Sequence, residues 1–224
     1  MITERETIKC EAIFNEEHTH RFVLRRIWNK AKPMAAVVML NPCEADALIT
    51  DTTTYLVMNN VARLEEFGGV TIVNLYSMLT SKLNFKWNDD NELNLPENDG
   101  FIKKAAEEAS KVILAWGRGV ESNKRITERA MQVLNQLLEY KEKLFVISDG
   151  ERSGLHPLTP AIRNRWILES FEKASDRSKA KEQEKDAPTK RSVVMTNESN
   201  DKGSTQSSID KITSDLNQGS EANK

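Results

Sequence analysis

The first part of the chain alternates apolar and polar positions, and this alternation predicts a β-hairpin. Residues 8–14, IKCEAIF, and residues 21–29, RFVLRRIWN, both show the period of two that is typical of strands. The polar segment NEEHTH joins them and contains His18 and His20. We therefore predict two antiparallel strands near the N-terminus, with these two histidines in the turn.

Four later segments are apolar throughout, as is typical of strands that are buried on both faces of a parallel sheet. These predicted strands are MAAVVML at 34–40, VTIVNLYSM at 70–78, KVILAW at 111–116 and KLFVIS at 143–148. The predicted helices cover 51–69, 99–110, 122–140 and a closing segment with Thr159 as N-cap and Pro160 in its first turn. Asp51 or Thr52 would cap the first helix, and Gly68 and Gly69 would end it.

Apolar strands between amphipathic helices predict an α/β domain. The expected fold is a three-layer sandwich with a central, mainly parallel sheet and the N-terminal hairpin at one edge. Residues 79–98 form a long polar loop. From Ser175 onward the chain has no aromatic residue and is rich in charged and small polar residues. Because such a segment buries too little apolar surface to offset its conformational entropy, we predict a folded domain at 1–172 and a disordered tail at 173–224.

Charge and cysteine content narrow the classes of protein. The net charge is −2 and the sequence pI is near 6.0, so any DNA contact must be local rather than a broad positive field. Cys10 and Cys43 form no CxxC pair and no histidine lies near metal-ligand spacing, so we expect neither a disulfide framework nor a metal site. We also expect no cofactor. The N-terminus lacks the apolar core of a signal peptide, and no segment is apolar enough to span a membrane. We expect a cytoplasmic protein without a membrane partner.

Polar residues follow each of the four predicted parallel strands. The four segments run from Asn41 to Asp51, from Asn74 to Thr80, from Trp116 to Arg118 and from Ser148 to Leu158. Because ligands of open α/β sheets bind beyond the carboxyl ends of the strands, these segments are expected to share one cleft. His156 precedes a predicted helix, whose positive end would keep the imidazole neutral and help to seat an anion.

Four separated motifs, in order, resemble a protein family. MLNPCEAD followed by DTTT, GGVTIVNLYSMLTS, ILAWG and HPL resemble domain-of-unknown-function family 1643 across nearly all of residues 20–165. The order strand-LNP, strand-VNL, strand-AWG and strand-loop-HPL is also similar to the layout of the uracil-DNA glycosylase superfamily. That resemblance implies that Asn41 positions a water molecule and that His156 donates a hydrogen bond to the base.

Base excision suits these residue types. Cleavage of an N-glycosidic bond develops positive charge on the sugar and negative charge on the base. A carboxylate or amide beside the sugar and a hydrogen-bond donor beside the base therefore both stabilise the transition state. Asn41 or a nearby Asp fits the first role and His156 the second. As a proton acceptor, Asp46 or Asp51 is stronger than an amide. The alternative is that Asn41-Pro42 is only a turn and Asp51 only a helix cap.

Other residues are assigned to the base and to the DNA backbone. A base must leave the stack to be reached, which calls for an aromatic platform. The predicted base-binding residues are Pro42, Asn74, Tyr76 and Trp116, with a place in the core as the alternative for Trp116. The predicted phosphate contacts are Arg118, Lys124, Arg125 and Arg163, with a solvated helix face as the alternative for the first three.

The leading prediction is a DNA glycosylase that removes a damaged or modified base and leaves an abasic site. Leu158 stands where the glycosylase superfamily usually has Ser, so the resemblance does not identify uracil as the substrate. The loop at 79–98 would admit a bulkier base, such as a modified cytosine of phage DNA, in anti-phage defence. Two alternatives are a non-catalytic module of the same fold that binds nucleic acid or nucleotide, and an N-glycosidase that acts on free nucleosides or nucleotides.

Overall fold

The fold is α/β. A computed structural model describes residues 1–117, 120 and 123–177 of the chain. The strands are β1 (Lys9–Phe14), β2 (Arg21–Ile27), β3 (Met34–Met39), β4 (Gly69–Asn74), β5 (Lys111–Leu114), β6 (Leu144–Ser148) and β7 (Ile167–Ser170). The helices are α1 (Thr52–Arg63), α2 (Asp90–Leu93), α3 (Glu97–Glu108), α4 (Lys124–Leu137) and α5 (171–177), and 3-10 segments cover Leu138–Lys143 and Pro160–Ile162.

The strands of the described region form one sheet in the order β1-β2-β4-β3-β5-β6-β7. β4, β3, β5 and β6 are parallel neighbours, whereas the pairings β1-β2, β2-β4 and β6-β7 toward the two edges are antiparallel. The sheet is therefore mixed, and the prediction of a mainly parallel sheet is wrong. The hairpin does lie at one edge as predicted, and it extends the sheet because β2 pairs along β4, with Leu24 beside Ile72.

The last edge strand replaces the closing helix that the sequence predicted. Pro160–Ile162 makes one 3-10 turn, and Thr159 makes no capping hydrogen bond with its side chain. β7 then pairs with β6, where Ile167 lies opposite Ser148. The free edge of β6 presents backbone N–H and C=O groups that need partners, and pairing them outweighs the helical propensity of this segment.

Both faces of the sheet are buried, which explains why its central strands are apolar throughout. Successive side chains of a strand point to opposite faces, so along β3 Val37 joins one hydrophobic cluster and Val38 the other. α1 covers the first face through Val61, and α3 and α4 cover the second through Ile102 and Val133. The helices thus flank the sheet on both sides and leave its carboxyl edge to the connecting loops.

α1 ends at Arg63, before the predicted stop at Gly68 and Gly69. Glu65 has a φ of 58° and turns the chain out of the helix. Gly68 instead links the end of β2 to the start of β4. Its carbonyl accepts hydrogen bonds from the N–H groups of Trp28 at 2.9 Å and Asn29 at 2.8 Å. A Cβ on Gly68 would collide with the Asn29 carbonyl.

The described fold continues past the predicted boundary at residue 172. α5 follows β7 directly, Ala174 is fully buried, and the Ser175 hydroxyl donates to the Phe171 carbonyl at 2.8 Å. The predicted polar tail lies outside the described residues from 178 onward. Within the described residues, no helix combines the length and apolar character needed to cross a membrane.

Candidate functional site

A cleft of about 480 Å³ lies at the carboxyl ends of the parallel strands. Five residues predicted from the sequence line it together: Asn41, Asp51, Asn74, Trp116 and His156. They come from the ends of β3, β4 and β5, the start of α1 and the loop after β6. The other lining residues are Arg21, Met39, Leu40, Cys43, Thr53, Thr54, Ile72, Thr80, Ser81 and Leu158. The expectation that residues at the carboxyl ends of the strands share one cleft therefore grouped residues as far apart in the chain as Asn41 and His156.

His156 enters the cleft as a neutral hydrogen-bond donor. Its Nδ1 accepts the backbone N–H of Leu158 at 3.1 Å. Burial lowers the pKa of His156, so the ring is neutral at neutral pH. Because a neutral imidazole carries one proton and Nδ1 is an acceptor here, the proton is on Nε2. Burial, rather than the predicted helix dipole, has this effect, since residues 160–162 make only one 3-10 turn.

Gly117 allows His156 to lie against the end of β5. Its φ is 64°, in the left-handed region that residues with a side chain rarely adopt. A Cβ at residue 117 would stand 2.5 Å from the Cβ of His156 and 3.1 Å from its backbone nitrogen. The glycine of the ILAWG motif is thus required both by its backbone conformation and by its histidine neighbour.

Two asparagine amides line the cleft. Asn74 is 2% exposed, and its Oδ1 is buried without a hydrogen-bond partner. Buried polar groups are almost always paired, so this amide is a candidate to bind a ligand or a water molecule. Asn41 donates from Nδ2 to the carbonyls of Thr80, at 2.6 Å, and Pro42, at 3.3 Å. These bonds hold the Asn41 amide in place and leave its Oδ1 as an acceptor.

Asp51 both caps α1 and lines the cleft. Its Oδ1 accepts the backbone N–H of Thr54 at 2.7 Å. A carboxylate has a second oxygen, so the capping bond leaves an acceptor available to a ligand or a water molecule. The two interpretations of Asp51 drawn from the sequence are therefore compatible.

Asp46 lies beside an adjoining cavity of about 770 Å³ and does not line the cleft with His156. Its Oδ1 accepts the backbone N–H groups of Ile49 at 2.6 Å and Leu48 at 2.7 Å. These backbone hydrogen bonds lower the pKa of Asp46, which makes it a weaker proton acceptor. The predicted role of general base therefore does not fit Asp46, whose contacts shape the loop after β3.

Tyr76 and Pro42 support the cleft without lining it. Tyr76 is 1% exposed, its hydroxyl donates to the Arg125 carbonyl at 3.2 Å, and its ring meets the edge of Phe85. It packs in the cluster under α3 and α4, so it does not fit the predicted role of a base platform. The Pro42 carbonyl accepts the N–H of Thr80 at 3.1 Å, which ties two strand-end loops together. Trp116 is the predicted platform that does line the cleft.

The basic residues predicted to contact DNA are engaged with the protein where they are described. Arg125 donates to Asp90 at 2.6 Å. Arg163 donates from Nε to a backbone carbonyl at 3.0 Å. Lys124 forms an exposed ion pair within α4 at 3.5 Å. Arg118 lies outside the described residues, so this prediction gains no support from the contacts.

Arg21 is a lining residue that the sequence did not single out. It begins β2, is 2% exposed and donates from Nη1 to the Ala45 carbonyl. The available signal was a charged residue at the start of the apolar run RFVL. That signal alone could not locate Arg21, because its neighbours follow from the pairing of β2 with β4.

The comparison with known proteins identifies a family. No curated protein and no solved structure matches the chain. Within the described residues, no group of His, Cys, Asp and Glu could hold a metal ion. The family described as "Protein of unknown function (DUF1643)" matches residues 21–158, a range that includes every residue lining the cleft. Since this match covers more than half of the sequence, the chain belongs to the DUF1643 family, as its motifs predicted.

Proposed function

We propose that the protein is a DNA glycosylase with a uracil-DNA glycosylase-like fold, which excises a damaged or modified base and leaves an abasic site. The observation that carries this proposal is the meeting of neutral His156, the buried amide of Asn74 and the carboxylate of Asp51 in one cleft. A volume of about 480 Å³ lies within the range of roughly 300–1,000 Å³ that is usual for small-molecule sites. It is sufficient for one flipped nucleotide.

Recognition of the base is assigned to Asn74 and Trp116. The Asn74 amide is buried and has an unpaired oxygen, so a base edge with complementary donor and acceptor groups would satisfy it. Trp116 is partly buried against the core and lines the cleft, where its ring offers an apolar face. A base that cannot pair with Asn74 would leave the amide unsatisfied, which is a source of selectivity.

Hydrolysis is assigned to Asn41, Asp51 and His156. Asn41 Oδ1 accepts a hydrogen bond from a water molecule. The oxygen of that water bonds to C1′ of the sugar while Asp51 takes one of its protons. The bond between C1′ and the base nitrogen breaks, and its electron pair leaves with the base. His156 Nε2–H donates to the base as this negative charge develops. The base then takes up a proton from solvent.

The adjoining cavity favours a base that is larger than uracil. It shares Cys43, Thr80 and Ser81 with the cleft, so the two spaces lie side by side. Thr80 and Ser81 begin the loop that the sequence associated with bulky bases. A substituent on the base, such as the hydroxymethyl or glucosyl group of a modified phage cytosine, would extend into this second space.

An N-glycosidase that acts on free nucleotides is a second candidate. It is favoured by the engagement of Arg125 and Arg163 in bonds within the protein, which leaves them poorly placed to bind a DNA backbone. The same catalytic groups would serve, because the sugar chemistry is the same. Activity on a free nucleotide would depend less on salt concentration than activity on DNA.

The experiment offers both kinds of substrate to the full chain. Duplex and single-stranded DNA bearing uracil, hydroxymethylcytosine or glucosylated hydroxymethylcytosine is incubated and then cleaved with alkali at abasic sites, while free nucleotides are analysed for released base. Abasic-site formation supports the glycosylase, and release from free nucleotides alone supports the second candidate. Binding without release of base from any substrate would contradict both and favour a non-catalytic module.

A further inference from the structure

Arg21 is a buried cation whose hydrogen-bonding capacity is mostly unused. Its backbone N–H donates to the Ser77 carbonyl at 2.9 Å, which fixes the start of β2. Nη1 of the guanidinium donates to the Ala45 carbonyl, but Nε is buried and has no partner. A buried charged group is normally paired with an opposite charge and fully hydrogen-bonded. The Arg21 guanidinium therefore lacks a full set of hydrogen-bond partners at this point of the cleft wall.

No described carboxylate forms an ion pair with Arg21, although other arginines of the fold are paired. Arg125 contacts Asp90, and Arg129 contacts Asp99. Burial lowers the pKa of Arg21 to about 10, and the nearby Asp51 opposes this effect. Arg21 therefore carries its charge at neutral pH, and an anion in the cleft would complete its coordination.

The first turn of α1 lies at the same cleft. α1 has 12 residues, and Thr53 and Thr54 from its N-terminal turn line the space beside Arg21. Asp51 accepts the N–H of Thr54 at 2.7 Å, while the N–H of Thr53 has no backbone or side-chain acceptor among the described residues. The N-terminus of a helix carries partial positive charge and binds anions through such N–H groups.

We propose that Arg21 and the first turn of α1 form a subsite for the phosphate group of a nucleotide. The planar guanidinium presents several N–H groups that match phosphate oxygens. Asp51 is the carboxylate that lines the cleft, and its bond to Thr54 partly compensates its charge, so it does not exclude an anion at Arg21. Binding of the phosphate group does not depend on the proposed function. The identity of the base joined to that phosphate does rest on it.

The test compares nucleotides that differ only in the phosphate. Calorimetric titration of the full chain with deoxycytidine, deoxyuridine and their 5′-monophosphates measures four dissociation constants. Because charge-assisted hydrogen bonds in a buried site are strong, the monophosphates are expected to bind at least about tenfold more tightly than the nucleosides. Equal affinity within about twofold would overturn the proposal.

Arg21→Met locates the effect, and Arg26→Met is the matched control. Arg26 is another buried arginine of β2, also 2% exposed, but it donates to the Asp46 carbonyl and does not line the cleft. Arg21→Met is expected to remove the preference for monophosphates, and Arg26→Met to retain it. A preference that survives in folded Arg21→Met would overturn the proposal.

If Arg21→Met does not fold, two further measurements decide. Arg21→Lys keeps the charge but lacks Nε–H, and it is expected to weaken the phosphate preference at least about threefold. In the wild-type protein, the Nε–H signal of Arg21, assigned by its loss in Arg21→Lys, is expected to shift on titration with inorganic phosphate. An unshifted signal together with an unchanged preference would overturn the proposal.

The source of the phosphate is resolved with short oligonucleotides. Replacing the phosphates of a trinucleotide one at a time by uncharged methylphosphonate should weaken binding at one linkage if the subsite holds a DNA phosphate, and at none if it holds only the terminal phosphate of a free nucleotide. These assays measure binding, so they do not depend on excision. A phosphate preference without release of base would contradict the proposed glycosylase and leave the subsite standing.

Discussion

Gly117 lies directly against His156, with no room for a side chain between them. The contact joins the end of β5 to the loop after β6, which are separate motifs in the sequence. It explains why a glycine follows the apolar run ILAW, because a Cβ at residue 117 would stand 2.5 Å from the Cβ of His156. The position of the proposed catalytic donor therefore depends on a residue that takes no part in the chemistry.

Gly117→Ala is expected to displace His156 and to destabilise the fold. The added methyl group meets His156, and the alanine backbone must also adopt a φ of 64°, so we expect a loss of about 2–4 kcal/mol in the free energy of unfolding. Excision per folded molecule should fall as well. Urea unfolding and single-turnover assays on the same preparation measure the two effects.

Gly100→Ala is the matched control for that substitution. Gly100 lies within α3, and a Cβ there would meet nothing within 4 Å. Alanine in an exposed helical position is expected to raise the free energy of unfolding by about 0.4–1 kcal/mol. If both variants lost stability equally, the contact with His156 would not be the cause.

Arg129 is a buried residue that forms a hydrogen bond with the chain directly after β4. It is 8% exposed, donates from Nε to the Leu75 carbonyl at 2.9 Å and forms a two-bond contact with Asp99. Arg129→Met leaves these partners unpaired and is expected to cost about 2–4 kcal/mol of stability. Lys124→Ala removes an exposed ion pair from the same helix and should change stability by less than about 0.5 kcal/mol. Similar losses in the two variants, measured by urea unfolding, would contradict this assignment.

The burial of His20 and the partial burial of His156 allow a prediction of how stability depends on pH. Burial lowers the pKa of both His20 and His156 from their usual value of 6.5. The unfolded chain therefore binds protons first as the pH falls, so the free energy of unfolding should be constant above about pH 7 and should decrease from about pH 6.5 downward. His156→Gln should reduce this decrease. Urea unfolding at several pH values between 7.5 and 5 tests the sign, and a rise in stability toward pH 5 would contradict it.

Those cleft residues that directly follow a predicted strand could be identified from the sequence. Asn41, Asn74 and His156 follow apolar runs, and the carboxyl ends of parallel strands meet at one edge, so their grouping followed from the strand pattern. Arg21 could not be predicted in this way, because its burial depends on the loop after β3 that packs over β2. Tyr76 was assigned to the cleft as an aromatic ring that follows the apolar strand, but its hydroxyl donates to the Arg125 carbonyl and its ring packs in the cluster under α3 and α4.

The edges of the sheet show the same limit. Antiparallel pairing of β2 with β4, and of β7 with β6, is set by contacts between distant segments and leaves no local mark in the sequence. The segment 160–170 contains proline, arginine and isoleucine in an order that suits a helix start, yet the open edge of β6 determines its structure. Local propensity gave the central strands and the N-terminal hairpin correctly, but it gave a helix where the edge strand β7 lies.

Asp51→Asn separates the two roles of this residue. Asparagine is also a good N-cap, so the substitution should change the free energy of unfolding by less than about 0.5 kcal/mol. It removes the proton acceptor, so excision should slow by roughly 10²–10⁴-fold. Asp46→Asn is the control, since Asp46 accepts only backbone N–H groups of its own loop, and it should retain excision. Rapid-quench measurement of base release would contradict the assignment if Asp46→Asn slowed and Asp51→Asn did not.

The most direct measurement compares His156→Ala with the wild type in single-turnover excision, with DNA affinity and melting temperature determined on the same samples. His156 donates to charge that develops mainly in the transition state, so excision should slow by about 10²–10³-fold while DNA affinity stays within about threefold. His20→Ala is the control, because His20 is buried and bonded to Ser77 but does not line the cleft, so it should lose stability and keep its excision rate per folded molecule. A His156→Ala protein that excises at the wild-type rate per folded molecule would contradict the account.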